Sequence, residues 1–177
     1  MKTKLGALAL TLPTALGILV GCRVANAENH DDIPSSGVST SSDAAEDAKK
    51  TSSELYNLIG LKGKAPDTGP GVKECGMKDP DRYFQIFHSW SFRPTSPEQL
   101  EDVMDQLKSK LPKHGWEVVA YGPDSSRNKN LGLTADNDAK KFSVNIIYQA
   151  KDNPPNLNFF VVSGCYLVPD GQKIEQF

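Results

Sequence analysis

The sequence predicts an α+β domain of two layers: a mainly antiparallel sheet of five strands, one main helix on one face, and an amino-terminal helix. Three observations carry this. Residues 82–92 alternate between apolar and mixed positions, the period of a half-buried strand. Residues 96–112 repeat apolar side chains at steps of three and four behind a strong start signal. Four further strand-like runs follow, so helices and strands are segregated along the chain rather than alternating.

The first helix is expected from Asp43 as N-cap, with Glu46 at the third helical position. Ala44, Ala48, Thr51, Leu55, Leu58 and Ile59 follow at helical spacing, and Gly60 stops it. The stripe is weak at its start, so only the last two turns are expected to dock, with the first turns extending a tether. Gly63, Pro66, Gly69, Pro70, Gly71, Gly76 and Pro80 then predict an irregular segment without regular elements. A covering loop and a ligand or partner loop both remain readings of it, but the glycine-lysine pattern of a phosphate loop is absent.

In the 82–92 strand, Phe84, Ile86, His88, Trp90 and Phe92 form the apolar face. His88 reads as a hydrogen-bonded core residue, because no nearby cysteine or carboxylate completes a triad with it. The main helix opens with Ser96 as N-cap, Pro97 at the first helical position and Gln99 placed for a capping box. Leu100, Val103, Met104, Leu107 and Leu111 form its buried stripe, Pro112 and Gly115 end it, and His114 complements the dipole at that end. Strands are then expected over 116–121, 130–135, 142–149 and 157–168, with a hairpin turn at Asp136-Asn137-Asp138. The last run is apolar on both faces through Phe159, Phe160, Val161 and Val162, as a central strand requires.

Two short matches carry no chemistry. Asp136 and Asp138 have the spacing that opens an EF-hand loop, but its glycine and closing glutamate are missing. Ser126 and Lys129 fit Ser-x-x-Lys without the companion elements of penicillin-binding enzymes. No metal, cofactor or catalytic residue is expected.

The amino terminus supplies an address. Lys2 and Lys4 precede an uncharged, mainly apolar run from Leu5 that ends in Leu19-Val20-Gly21-Cys22. This ending resembles the lipobox of bacterial lipoproteins, and Pro13 with that ending favours processing over a retained membrane span. The resemblance implies removal of residues 1–21 and an acylated Cys22, with the membrane lipid as its partner, at the outer face of the bacterial cytoplasmic membrane. More than one acyl chain makes a stable anchor. Cleavage removes two lysines and no acid, so 18 basic residues face 22 acidic ones, a net charge of about −4 that disfavours nucleic acid and anionic lipid. About 155 residues remain, enough for one domain. Residues 22–42, rich in acidic side chains and serine, are expected to be a flexible linker, and residues 43–177 the domain.

With Cys22 given to lipid, Cys75 and Cys165 are left as a pair in an exported chain and are expected to form a disulfide. A metal pair or a catalytic thiol is the alternative, but further zinc ligands at suitable spacing and a Cys-x-x-Cys are both lacking. The disulfide constrains the sheet. Cys75 precedes the first of the five strands and Cys165 lies near the end of the fifth, so these strands should be antiparallel neighbours, giving the order 2-3-4-5-1.

The main helix should cover the face holding Phe84, Ile86 and Trp90. The second face is expected to carry Phe87, Val119, Tyr121, Ile147 and Phe160, with Tyr166 also a candidate, either under the first helix and the 61–80 segment or as a binding face. Gly115-Trp116 opening a strand and Ser163-Gly164-Cys165 closing the last one are similar to small actinobacterial lipoproteins of unassigned function. The expected function is a non-enzymatic binding module for an extracytoplasmic protein or cell-envelope component. A carrier or sensor of a small apolar ligand, using the second sheet face, is the alternative.

Overall fold

The computed structural model describes residues 33–177. Its elements are β1 (Ser35–Val38), α1 (Ser41–Ile59), β2 (Gly63–Lys64), β3 (Gly71–Glu74), β4 (Tyr83–Pro94), α2 (Leu100–Lys110), β5 (Glu117–Pro123), β6 (Leu131–Asn137), β7 (Phe142–Gln149), β8 (Asn156–Ser163) and β9 (Cys165–Leu167). The fold is α+β, one mixed sheet with two α-helices. The expected leader, Cys22 and the first linker residues lie outside the described residues.

Nine strands order as β1-β9-β4-β8-β7-β6-β5, with β2 and β3 also pairing with β4. This corrects the expected sheet of five strands. The added strands β1, β2, β3 and β9 are two to four residues long, too short for side-chain alternation to show in sequence. β1 runs parallel to β9, which makes the sheet mixed. β8 and β9 both run antiparallel to β4, but Gly164 breaks the path expected as one strand. A Cβ on Gly164 would collide with the Pro34 carbonyl oxygen, so only glycine lets β1 come this close.

The linker is therefore shorter than its composition suggests. Cys165 N donates to Pro34 O at 2.8 Å and Ser39 N to Leu167 O at 3.0 Å, which places residues expected in the linker within the sheet. Backbone pairing supplies the stabilisation that these small and polar side chains lack. α1 begins at Ser41 with Thr40 as N-cap, and the Asp43 amide donates to Thr40 Oγ1 at 3.0 Å. Asp43, expected as the cap, instead accepts the Thr40 hydroxyl at 2.8 Å. The first turns dock rather than extend a tether, because Ser41, Ala44, Ala45 and Ala48 are all buried. Small side chains carry a weak hydrophobic signal and still permit close packing.

Both helices lie on the same side of the sheet: α1 crosses β4 and β8, α2 packs on β7, and the helices touch. Beneath them, Phe84, Phe92 and Phe159 are fully buried with Leu55, Leu107 and Ile146. Trp90 stacks on Phe159 with centroids 3.9 Å apart. Burying a leucine or phenylalanine in this way contributes about 1.5–3 kcal/mol. The start of the main helix also differs in detail: Ser96 makes no capping bond, and Pro97–Gln99 form a 3-10 turn before α2. Pro112 does not stop the chain abruptly but lies in a second 3-10 turn, Leu111–His114, closed by Gly115 at φ 81°. Among the described residues, no helix is long and apolar enough to cross a membrane.

Cys75 and Cys165 are within disulfide distance, their Cα atoms 5.8 Å apart and both side chains buried.

Candidate functional site

Because both helices take one face, the first helix does not cover the other. Phe87 on β4 remains 39% exposed and Phe160 on β8 44%. Phe87 pairs with Val162 and Ser89 with Phe160, so the two rings are diagonal neighbours on adjacent strands, within mutual reach. A cleft of about 450 Å³ lies at these rings, bordered by Lys73, Ser89, Ser143 and Asn145. Gly71 of β3 makes room for the Phe87 ring, which comes within 2.6 Å of where a Cβ would stand. Ile147, opposite Gly132 and Asn158, shares this open face and is partly exposed.

Tyr121 and Tyr166 do not belong to it. β5 carries an irregularity between Val118 and Ala120, so Val119 is an extra residue, 51% exposed, and the alternation shifts by one. Tyr121 is thereby turned to the helix side, opposite buried Leu133. Its hydroxyl donates to Asp105 Oδ1 at 2.7 Å, and Lys108 Nζ sits 4.4 Å from the ring centroid. Burial, then the bond to the Asp105 carboxylate, pushes the phenol up to about 12. At Tyr166 the break at Gly164 has the same effect. The side chain is buried against Phe84, centroids 5.5 Å apart, and burial raises its pKa.

The irregular segment also departs from expectation, since β2 and β3 pair with the two ends of one edge of β4. Between them, β4 residues 88–92 have no ladder partner on that edge, and a strap at residues 65–70 bridges the gap. Thr68 Oγ1 donates to Ser89 O at 3.0 Å. His88 holds the same strap: Nε2 lies 2.6 Å from Thr68 O and Nδ1 2.8 Å from Ser52 Oγ on α1. A carbonyl only accepts, so Nε2 carries the proton and the Ser52 hydroxyl donates to Nδ1. Burial lowers the His88 pKa, the bond to Thr68 opposes this, and Lys49 and Asp67 add smaller opposing effects. The neutral ring is a clasp between helix, strand and strap.

Sequence reasoning passed over Ser52, Tyr56 and Thr68. The available signal was the second stripe of α1, Lys49, Ser52, Ser53, Tyr56 and Asn57, spaced like the core stripe but polar. Among the described residues no group of three His, Cys, Asp or Glu side chains is placed to hold a metal ion.

Fold and site together define a small α+β domain with one helix-covered sheet face and one open aromatic face. Comparison with known proteins finds no matching family model, no matching curated protein and no matching solved structure.

Proposed function

We propose that the protein is an extracytoplasmic lipoprotein, held at the outer face of the cytoplasmic membrane by acylated Cys22, and that its open sheet face docks a partner protein without catalysis. The observation that carries this is the pair Phe87 and Phe160, side by side and half exposed on a face that neither helix covers. Aromatic residues ringed by serine, asparagine and lysine have the anatomy of a protein interface, where a few central side chains supply most of the affinity. The alternative, a carrier of a small apolar ligand, calls for an enclosed apolar cavity, whereas the cleft at these rings lies open on the sheet surface. Residues 22–32 span at most about 40 Å, so the domain works close to its anchor.

The test uses the protein in its own membranes with a photo-crosslinking side chain at Ser89, between the rings, or at Asp102 on α2. A discrete protein adduct from Ser89 alone, lost in Phe87→Ser/Phe160→Ser, is the expected result. Equal adducts from both positions, or none from Ser89, refute the docking face. Mass spectrometry of the same material should show acyl mass on Cys22, and an unmodified Met1 terminus overturns the lipoprotein reading.

A further inference from the structure

The open sheet face is complementary in charge to itself. Residues paired directly across strands put their side chains on the same face of a sheet. Lys64 and Arg93, paired between β2 and β4, and Lys73, paired with Gln85, therefore share the face of Phe87, and all three are exposed. On the far side of this face, exposed Glu117 of β5 pairs with partly buried Asp136 of β6. Asp136 pairs in turn with Ser143, Ser143 with Val162 and Val162 with Phe87. Among the residues of these ladders, the β2–β4 side presents three cations and no anion on this face, and the β5–β6 side two anions and no cation.

Between the two charged sides lie uncharged pairs, Phe160 with Asn145 and Asn158 with Ile147, at the seam of β8 and β7. From β3 across to β5, and from Gln85 to Arg93 along β4, the face measures about 25 Å each way at ordinary strand spacings. Two such faces stacked together cover roughly 1,200 Å², the lower end of specific interfaces.

Only one way of stacking two copies matches the charges. A two-fold axis parallel to the strands, lying over the β7–β8 seam, sets the basic side of each copy on the acidic side of the other. An axis across the strands sets cations on cations. The strand-parallel axis also keeps the two Pro34 residues at one level along the strands, so both chains enter the sheet from the same side, as two anchors in one membrane require. Stacked sheets with strands nearly aligned are a common packing arrangement.

We propose that the partner of the open face is a second copy of this chain, the two sheets stacked about that strand-parallel two-fold axis. The inference rests on the docking and anchoring reading above and names its partner. The experiment uses the full chain in its own membranes as two differently tagged copies, with a photo-crosslinking side chain at Asn145 of one. An adduct of twice the monomer mass that joins the two tags through β7 or β8 of the second copy is expected. Lys73→Glu in both copies should lower its yield several-fold, since each charge contact occurs twice in a two-fold pair. Lys73→Glu/Glu117→Lys in both copies should restore it. A different protein crosslinked at Asn145 and Ser89, with no adduct between tags, overturns the self-pairing and leaves the docking face standing. No adduct from either position overturns both. An adduct between tags that ignores Lys73→Glu, or that Glu117→Lys does not restore, overturns the charge-matched stacking.

Discussion

Replacing both Cys75 and Cys165 by alanine tests the covalent frame of the domain. A disulfide between them would join positions 90 residues apart. On the chain-entropy model a loop of this length restricts the unfolded chain by about 15 cal/mol/K, or roughly 4–5 kcal/mol at 25 °C. A domain of this size has a total stability of about 5–15 kcal/mol, so the variant should lose about a quarter or more of it. A chain begun at residue 23 suits the measurement, because it holds no other thiol. Urea unfolding should show a lower midpoint in the variant, and wild-type protein under reductant should move towards the same value. The slope with denaturant should rise in both, since the opened chain exposes more surface. If the native, unreduced protein is alkylated at both cysteines, or if the stability difference is below about 1 kcal/mol, the bridge is not what holds β9 to the segment before β4.

Two further outcomes follow from the clasp and the strand break. Native His88 resists protonation, with its pKa lowered first by burial, whereas in the unfolded chain it titrates near its ordinary 6.5. Its contribution is therefore full above that value and is lost as pH falls through the lower folded-state pKa; urea midpoints taken across this window should decline, and His88→Gln should flatten the decline, while an unchanged slope in the variant rules the clasp out as its source. Gly164→Ala should force β1 away from β9 and speed hydrogen exchange at the Cys165 amide by about tenfold or more, with Gly132→Ala, where a Cβ meets nothing nearer than 3.6 Å, as the control that should not.

What could be read from the sequence depended on the strength of local signals. The strand at β4 and the buried stripe of α2 follow from Phe84, Ile86, Trp90, Leu100, Val103 and Leu107, large side chains at regular spacing. β1 escaped because Ser35, Ser36 and Gly37 have the composition of a linker, and their pairing with β9 is a tertiary fact. The open face was legible only at Phe87, Ile147 and Phe160. At Tyr121 and Tyr166 one irregular residue upstream, Val119 in β5 and Gly164 before β9, reverses the side on which every later side chain lies. Alternation carries no warning of such a step. The clasp was hidden for another reason: its groups come from three segments, and Thr68 meets His88 only when β2 and β3 pair on either side of them.

The parallel strand β1 also gives the domain a mechanical axis. A pull on the amino-terminal side enters at Pro34, and the bonds from Cys165 N to Pro34 O and from Ser39 N to Leu167 O lie across its path. Paired strands loaded along their length slide only when several such bonds break together, whereas strands peeled from one end yield one bond at a time. The residue donating the first of these bonds, Cys165, is placed to bond covalently with Cys75, directly after β3. Tension on the amino terminus thus meets β9 and the sheet behind it before it reaches α1.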